Sequence, residues 1–94
     1  MTNNNMKDKL KHLRDQIDEI DDEIVSLIAK RIRIVEQVGQ LKKEQHVEPL
    51  DEKRRAQVLV DRKEKAKRLG ISETFIEKLY ELIHEHSVNV QKKV

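Results

Sequence analysis

The sequence predicts an all-α protein of three helices, the first of them very long, assembled as an intertwined antiparallel homodimer. Apolar side chains at Leu10, Leu13, Ile17, Ile20, Ile24, Leu27, Ile34, Val38 and Leu41 recur in alternating steps of three and four, the period of one helical face. Glycine and proline stand only at Gly39, Pro49 and Gly70, so the chain has few points of interruption. No stretch alternates apolar and polar residues as a strand does, and there is neither an internal repeat nor a low-complexity tract.

From about Met6 to Glu44 the helical period is unbroken by proline, with Asn5 as candidate N-cap. Gly39 lies inside this run, costs about 1 kcal/mol relative to alanine, and points to the close approach of another backbone. The stretch "HVEPLD" reads as a loop, because Pro49 disfavours a helical conformation at Glu48. A second helix over about Glu52–Arg68 belongs with Leu59, Ala66 and Leu69 and ends at Gly70, a left-handed C-cap. Ser72 caps the third helix, with Ile71 and Ile76 placed as a hydrophobic staple. Its apolar positions Ile76, Leu79, Ile83 and Val90 continue almost to the last residue.

The length of the first helix is what calls for a partner. At 1.5 Å per residue it spans about 58 Å, whereas a compact chain of 94 residues has a radius of gyration of about 12 Å. The whole chain, residues 1–94, is expected to be one helical domain, and two shorter helices cannot cover so long a seam. Packing the long helices of two copies antiparallel is the simplest remedy.

Charged residues make up 40% of the chain, yet the formal net charge is only +2. That pattern means solvated faces of mixed sign rather than the one-sided basicity of a nucleic-acid binder. Phe75 and Tyr80 are the only aromatic residues, too few for a base-stacking platform. Absence of cysteine excludes disulfides and thiolate metal sites. No apolar run reaches the roughly 18 residues of a membrane span, and the start "MTNNNMKDK" lacks the apolar core of a signal peptide. A cytoplasmic protein that contacts neither membrane nor nucleic acid is expected. His84 and His86 fall on nearly opposite sides of a helix, so they do not form an i, i+4 metal pair and read as surface or interface residues, while His12 and His46 are isolated.

Three cations interrupt the apolar stripe of the first helix. Arg31 falls at a heptad position otherwise held by apolar residues, and Arg14 and Lys42 fall at one shared with Asp21, Ile28 and Val35. Neither Arg31 nor Lys42 has an acid at helical neighbour spacing on its own helix, whereas Arg14 has Asp18 four residues on. A buried cation without compensation is costly. These side chains either snorkel to water or pair with an acid from another helix, or they line a pocket for a small anion. Along a straight helix Arg14 and Arg31 stand about 25 Å apart and Arg31 and Lys42 about 16 Å. Arg31 and Lys42 can therefore converge on one small ligand, whereas Arg14 can join them only from an antiparallel partner. On the third helix Ser87 and Gln91 are one turn apart and continue the row of Ile83.

The stretch "LRDQIDEIDDEIVSLIAKRIRIVEQVGQLKK", a loop with "PLDEKRR", and then "LGISETFIEKLYELIHEHSVNVQ" resemble the all-helical chorismate mutases over nearly the whole chain. The family pattern is met at Arg14, Arg31, Lys42, Ser87 and Gln91. The resemblance implies interlocked dimers of three-helix protomers in which Arg14 crosses to the neighbour's site. It implies rearrangement of chorismate, a small dicarboxylate, to prephenate without cofactor or metal. Arg14 and Arg31 would grip the carboxylates with Ser87 and Arg54 in support, while Lys42 and Gln91 would donate hydrogen bonds to the ether oxygen as its bond breaks.

One position departs from the family pattern. There an arginine is commonly followed by a glutamate that holds the ring hydroxyl, and here Arg54 is followed by Arg55. Asp51 or Glu52 covers that role, or the substrate differs at that position. Relatives on this scaffold rearrange 4-amino-4-deoxychorismate or remove pyruvate from isochorismate. A non-catalytic helical dimer or regulatory module is the remaining reading.

Overall fold

The computed structural model describes residues 2–94. Among them the regular elements are helices alone: α1 (Thr2–Glu44), α2 (Glu52–Arg68) and α3 (Glu73–Lys93). The all-α expectation with a very long first helix holds, and α1 runs for 43 residues. Its start differs from expectation, because the helix is already formed at Thr2 and Asn5 is an interior residue rather than the N-cap. Asparagine disfavours a helix by only about 0.7 kcal/mol relative to alanine, and with neither glycine nor proline nearby nothing forces a break there.

The chain divides into two compact units, one ending at Arg33 and the other comprising Ile34–Val94. The first is a stretch of single helix, and its apolar seam is bare: Leu13, Ile17, Ile20 and Leu27 are 55 to 63% exposed. A helix gains most of its stability in proteins by packing such a face.

In the second unit the helices cover one another. Ala66 of α2 and Val88 of α3 are buried, with Ser87 beside them. The covered stripe of α3 runs through Ile76, Tyr80, Ile83, His84, Ser87, Val88 and Gln91, at helical spacings of three and four. Leu79, expected on that stripe, lies outside it. His84 belongs to it and is half-buried, whereas His86 is exposed. Of the two histidines expected at a surface or an interface, His84 is the covered one, because it stands one turn from both Tyr80 and Val88. Between α2 and α3, the Arg62 guanidinium lies 5.6 Å from the centre of the Tyr80 ring, and Lys63 Nζ lies 3.5 Å from Glu77 Oε2. On the last turns of α1, Val35, Gly39 and Lys42 form a covered stripe of their own.

Helix ends follow local chemistry. Asp51 caps α2, its Oδ1 accepting from the Arg54 N–H at 3.0 Å, and Ser72 caps α3, its Oγ accepting from the Phe75 N–H at 3.2 Å. Ile71 and Ile76, the pair expected to form the staple, border the same small cavity. The last turn of each helix is basic, with Lys42 and Lys43 on α1, Lys65, Lys67 and Arg68 on α2, and Lys92 and Lys93 on α3, which complements the helix dipole.

α1 and α2 both end in Schellman turns. After α2, Ile71 N–H donates to Ala66 O at 2.8 Å and Gly70 N–H to Lys67 O at 3.2 Å, with Gly70 left-handed at φ 71°. After α1, Val47 N–H donates to Lys42 O at 2.8 Å and His46 N–H to Lys43 O at 3.2 Å. There the left-handed residue is His46, at φ 56°.

Candidate active site

The site is assembled around Gly39. A Cβ built at this residue would stand 2.9 Å from Gln91 Cα and 2.6 Å from Val94 Cγ2. Only glycine lets the α3 backbone come so close to α1, which is the close approach its place in the helix predicts. Lys42, one turn along α1, and Gln91 therefore border one cavity of ≈ 530 Å³, together with Gly39, His46 and Pro49. The volume lies in the range of small-molecule sites.

Polar groups here are already directed. Lys42 Nζ donates to the Pro49 carbonyl at 2.7 Å in a half-buried hydrogen bond. Gln91 Oε1 is shielded from solvent and has no hydrogen-bond partner among the described residues. Such a group costs about 1–3 kcal/mol, and a ligand offering the right polar atom would recover it. Since the oxygen and nitrogen of an amide exchange by a half-turn, this end can present a donor as readily as an acceptor. Lys43 and Lys92 add positive charge to the same cavity, where Glu48 is the one acidic side chain.

The remaining expected site residues are spread more widely. Ser87 is buried and its hydroxyl donates to Ile83 O at 2.8 Å, so donation to a ligand would require it to rotate away from that carbonyl. Asp51 is engaged as a cap, and Arg54, whose N–H it holds, is exposed. Arg55 lies on a second cavity, between the start of α2 and the face of α3, with Leu50, His84 and Val88. Its Nη1 stands 3.7 Å from Glu52 Oε2, one turn earlier on the same helix. That cavity is mixed in sign, with Glu52, Glu81 and Glu85 against Arg55, Lys78 and Lys92. Arg14 and Arg31 lie in the other unit, where both are exposed. Among the described residues no group of acids and histidines is arranged to hold a metal ion, and no helix is long and apolar enough to cross a membrane.

Sequence reasoning overlooked Pro49 and His46 as members of the Lys42 cavity. The signal for both was the loop itself, since a proline and a non-glycine C-cap next to a charged last turn fix where the backbone carbonyls point.

The pattern that defines the family "Chorismate mutase type II" matches residues 13–92. The chain belongs to that family. It is similar to a chorismate mutase of Methanocaldococcus jannaschii, with 32% identity over 89 residues that cover 94% of this chain and 89% of that protein. It is also similar to the T-proteins of Enterobacter agglomerans, at 36% identity over 69 residues, and of Haemophilus influenzae, at 38% over 68 residues. Those alignments cover 73% and 72% of this chain but only 18% of either T-protein. The chain thus corresponds to nearly all of one relative and to less than a fifth of the others.

Proposed function

We propose that this protein is a chorismate mutase, an isomerase that rearranges chorismate to prephenate, working as an antiparallel homodimer. The observation that carries the reading is the meeting of Lys42 and Gln91 on one cavity in a chain of this family. The reaction breaks an ether C–O bond and forms a C–C bond in one cyclic step, with no nucleophile and no proton transfer. Catalysis then consists of holding the compact conformer of the substrate and stabilising charge where it develops.

As the C–O bond lengthens, negative charge grows on the ether oxygen. Lys42, as a cation, and Gln91, through its amide N–H, are the donors that would meet it. Two carboxylates remain to be neutralised, and Arg31 together with Arg14 of a second copy are the cations assigned to them, with Arg54 and Ser87 in support. The bare seam from Leu13 to Leu27 supports a second copy, because antiparallel packing would cover it and bring in the foreign arginine.

Chain mixing tests the shared site. Arg14→Ala and Lys42→Gln chains are each expected to be inactive alone. Mixed in equal amounts and allowed to exchange, half the dimers would be hybrids with one intact site, so about a quarter of wild-type activity should return. A mixture as inactive as its components would remove Arg14 from the neighbour's site.

Arg55 favours a second reading of the substrate. The position that faces the ring hydroxyl in relatives here carries a cation held by Glu52, which suits a chorismate analogue with a different group there. Assaying chorismate, isochorismate and 4-amino-4-deoxychorismate side by side decides between them, with pyruvate release marking the lyase.

A further inference from the structure

We propose that the connection between α1 and α2 is a positioning device for the Lys42 ammonium, with the Pro49 carbonyl as its anchor. The inference rests on the reading of Lys42 as the donor to the substrate. Lys42 is tied to this connection twice: its backbone oxygen accepts from the Val47 N–H at 2.8 Å, and its Nζ donates to Pro49 O at 2.7 Å. The first bond closes only because His46 adopts a left-handed conformation that non-glycine residues rarely take. The second depends on where the chain points after the turn, and Pro49 restricts that through its own fixed φ and through the extended preference it imposes on Glu48.

A lysine side chain has four rotatable bonds and loses much freedom when a ligand must fix it. Here that freedom is already restricted before any ligand arrives. An ammonium has three N–H donors, and the carbonyl takes one, so two remain for a substrate. The carbonyl therefore orients the ammonium without occupying it fully. Preorganisation of this kind places the charge where the transition state needs it and lowers the ordering cost of reaction.

Substituting Pro49 keeps the carbonyl and loosens the backbone that holds it. Pro49→Ala is expected to lower kcat about fivefold while KM changes by less than about twofold. A loop that matters only for folding would act equally in any background, so the same change is made in Lys42→Gln, where it is expected to leave the residual rate unaltered. In parallel, the NMR order parameter of the Lys42 Cε methylene is measured in wild type and in Pro49→Ala, and is expected to fall in the variant. An equal loss of rate in both backgrounds, or an unchanged order parameter, overturns the proposal. If wild-type protein turns over no substrate, it is the functional reading that fails, and the order parameter alone decides the positioning.

Discussion

The ends of α1 and α2 solve the same problem with different residues. Both close in a Schellman turn with a left-handed residue just past the helix, yet α2 uses Gly70 and α1 uses His46. Gly70 adopts φ > 0 without penalty, and a Cβ there would meet nothing within 4 Å, so this turn is a stop and no more. His46 carries a penalty of about 1–2 kcal/mol for the same conformation. The strained turn is the one that sits on the Lys42 cavity, and the relaxed one lies away from it. Strain retained beside a site, where a glycine would have removed it, marks a backbone held for what it positions.

The largest effect expected from disturbing this contrast is on the α1 side. Lys42→Gln should lower kcat by about 10²- to 10³-fold, the usual cost of losing a donor to developing negative charge. Its thermal midpoint should hardly move, because the variant removes a cation from a half-buried stripe. Steady-state kinetics with a melting curve on the same sample checks both.

Gly39→Ala comes next. Alanine improves helix propensity by about 1 kcal/mol, but its Cβ meets the Gln91 backbone, which cannot turn aside as the Val94 side chain can. Overpacking of this kind costs about 1–3 kcal/mol, so a lower midpoint is expected together with lost activity as Gln91 is displaced. Val94→Ala in the same chain should recover little of either. Full recovery would show that the side chain, and not the α3 backbone, sets the limit.

Legibility in the sequence followed the same division. Helix boundaries at Glu44, Glu52, Arg68 and Ser72 could be read because caps and turns are local: Gly70, Ser72 and Pro49 act on their immediate neighbours. Gly39 could be read as a contact because nothing else explains a glycine inside so long a helix. The covered stripe of α3 was legible in part: Ser87 and Gln91 could be read as continuing the row of Ile83, whereas His84 is polar and a count of apolar residues passes over it. Lys42 was legible as an interruption of the seam, but its anchor was not, because a backbone carbonyl leaves no trace in residue type. Asn5 misled because a good capping residue without a helix break is only an opportunity.

Smaller effects are expected from exchanging the two turn residues. Gly70→Ala should cost about 1 kcal/mol, lowering the midpoint by about 4–8 °C in a domain of this size. His46→Gly should raise stability by somewhat less than about 1 kcal/mol, because the relief of strain is partly offset by the greater freedom of glycine in the unfolded chain. Differential scanning calorimetry on the two variants reads both signs. Were the two changes to act in the same direction, the contrast between a relaxed and a strained turn would be lost.

The cavity shared by Lys42 and Gln91 is proposed as the place where chorismate rearranges. Following purified protein with chorismate by loss of the substrate's absorbance, and identifying the product, tests it most directly. The prediction is stoichiometric conversion to prephenate without release of pyruvate. Chorismate recovered unchanged from a folded protein, or pyruvate appearing in its place, would contradict it.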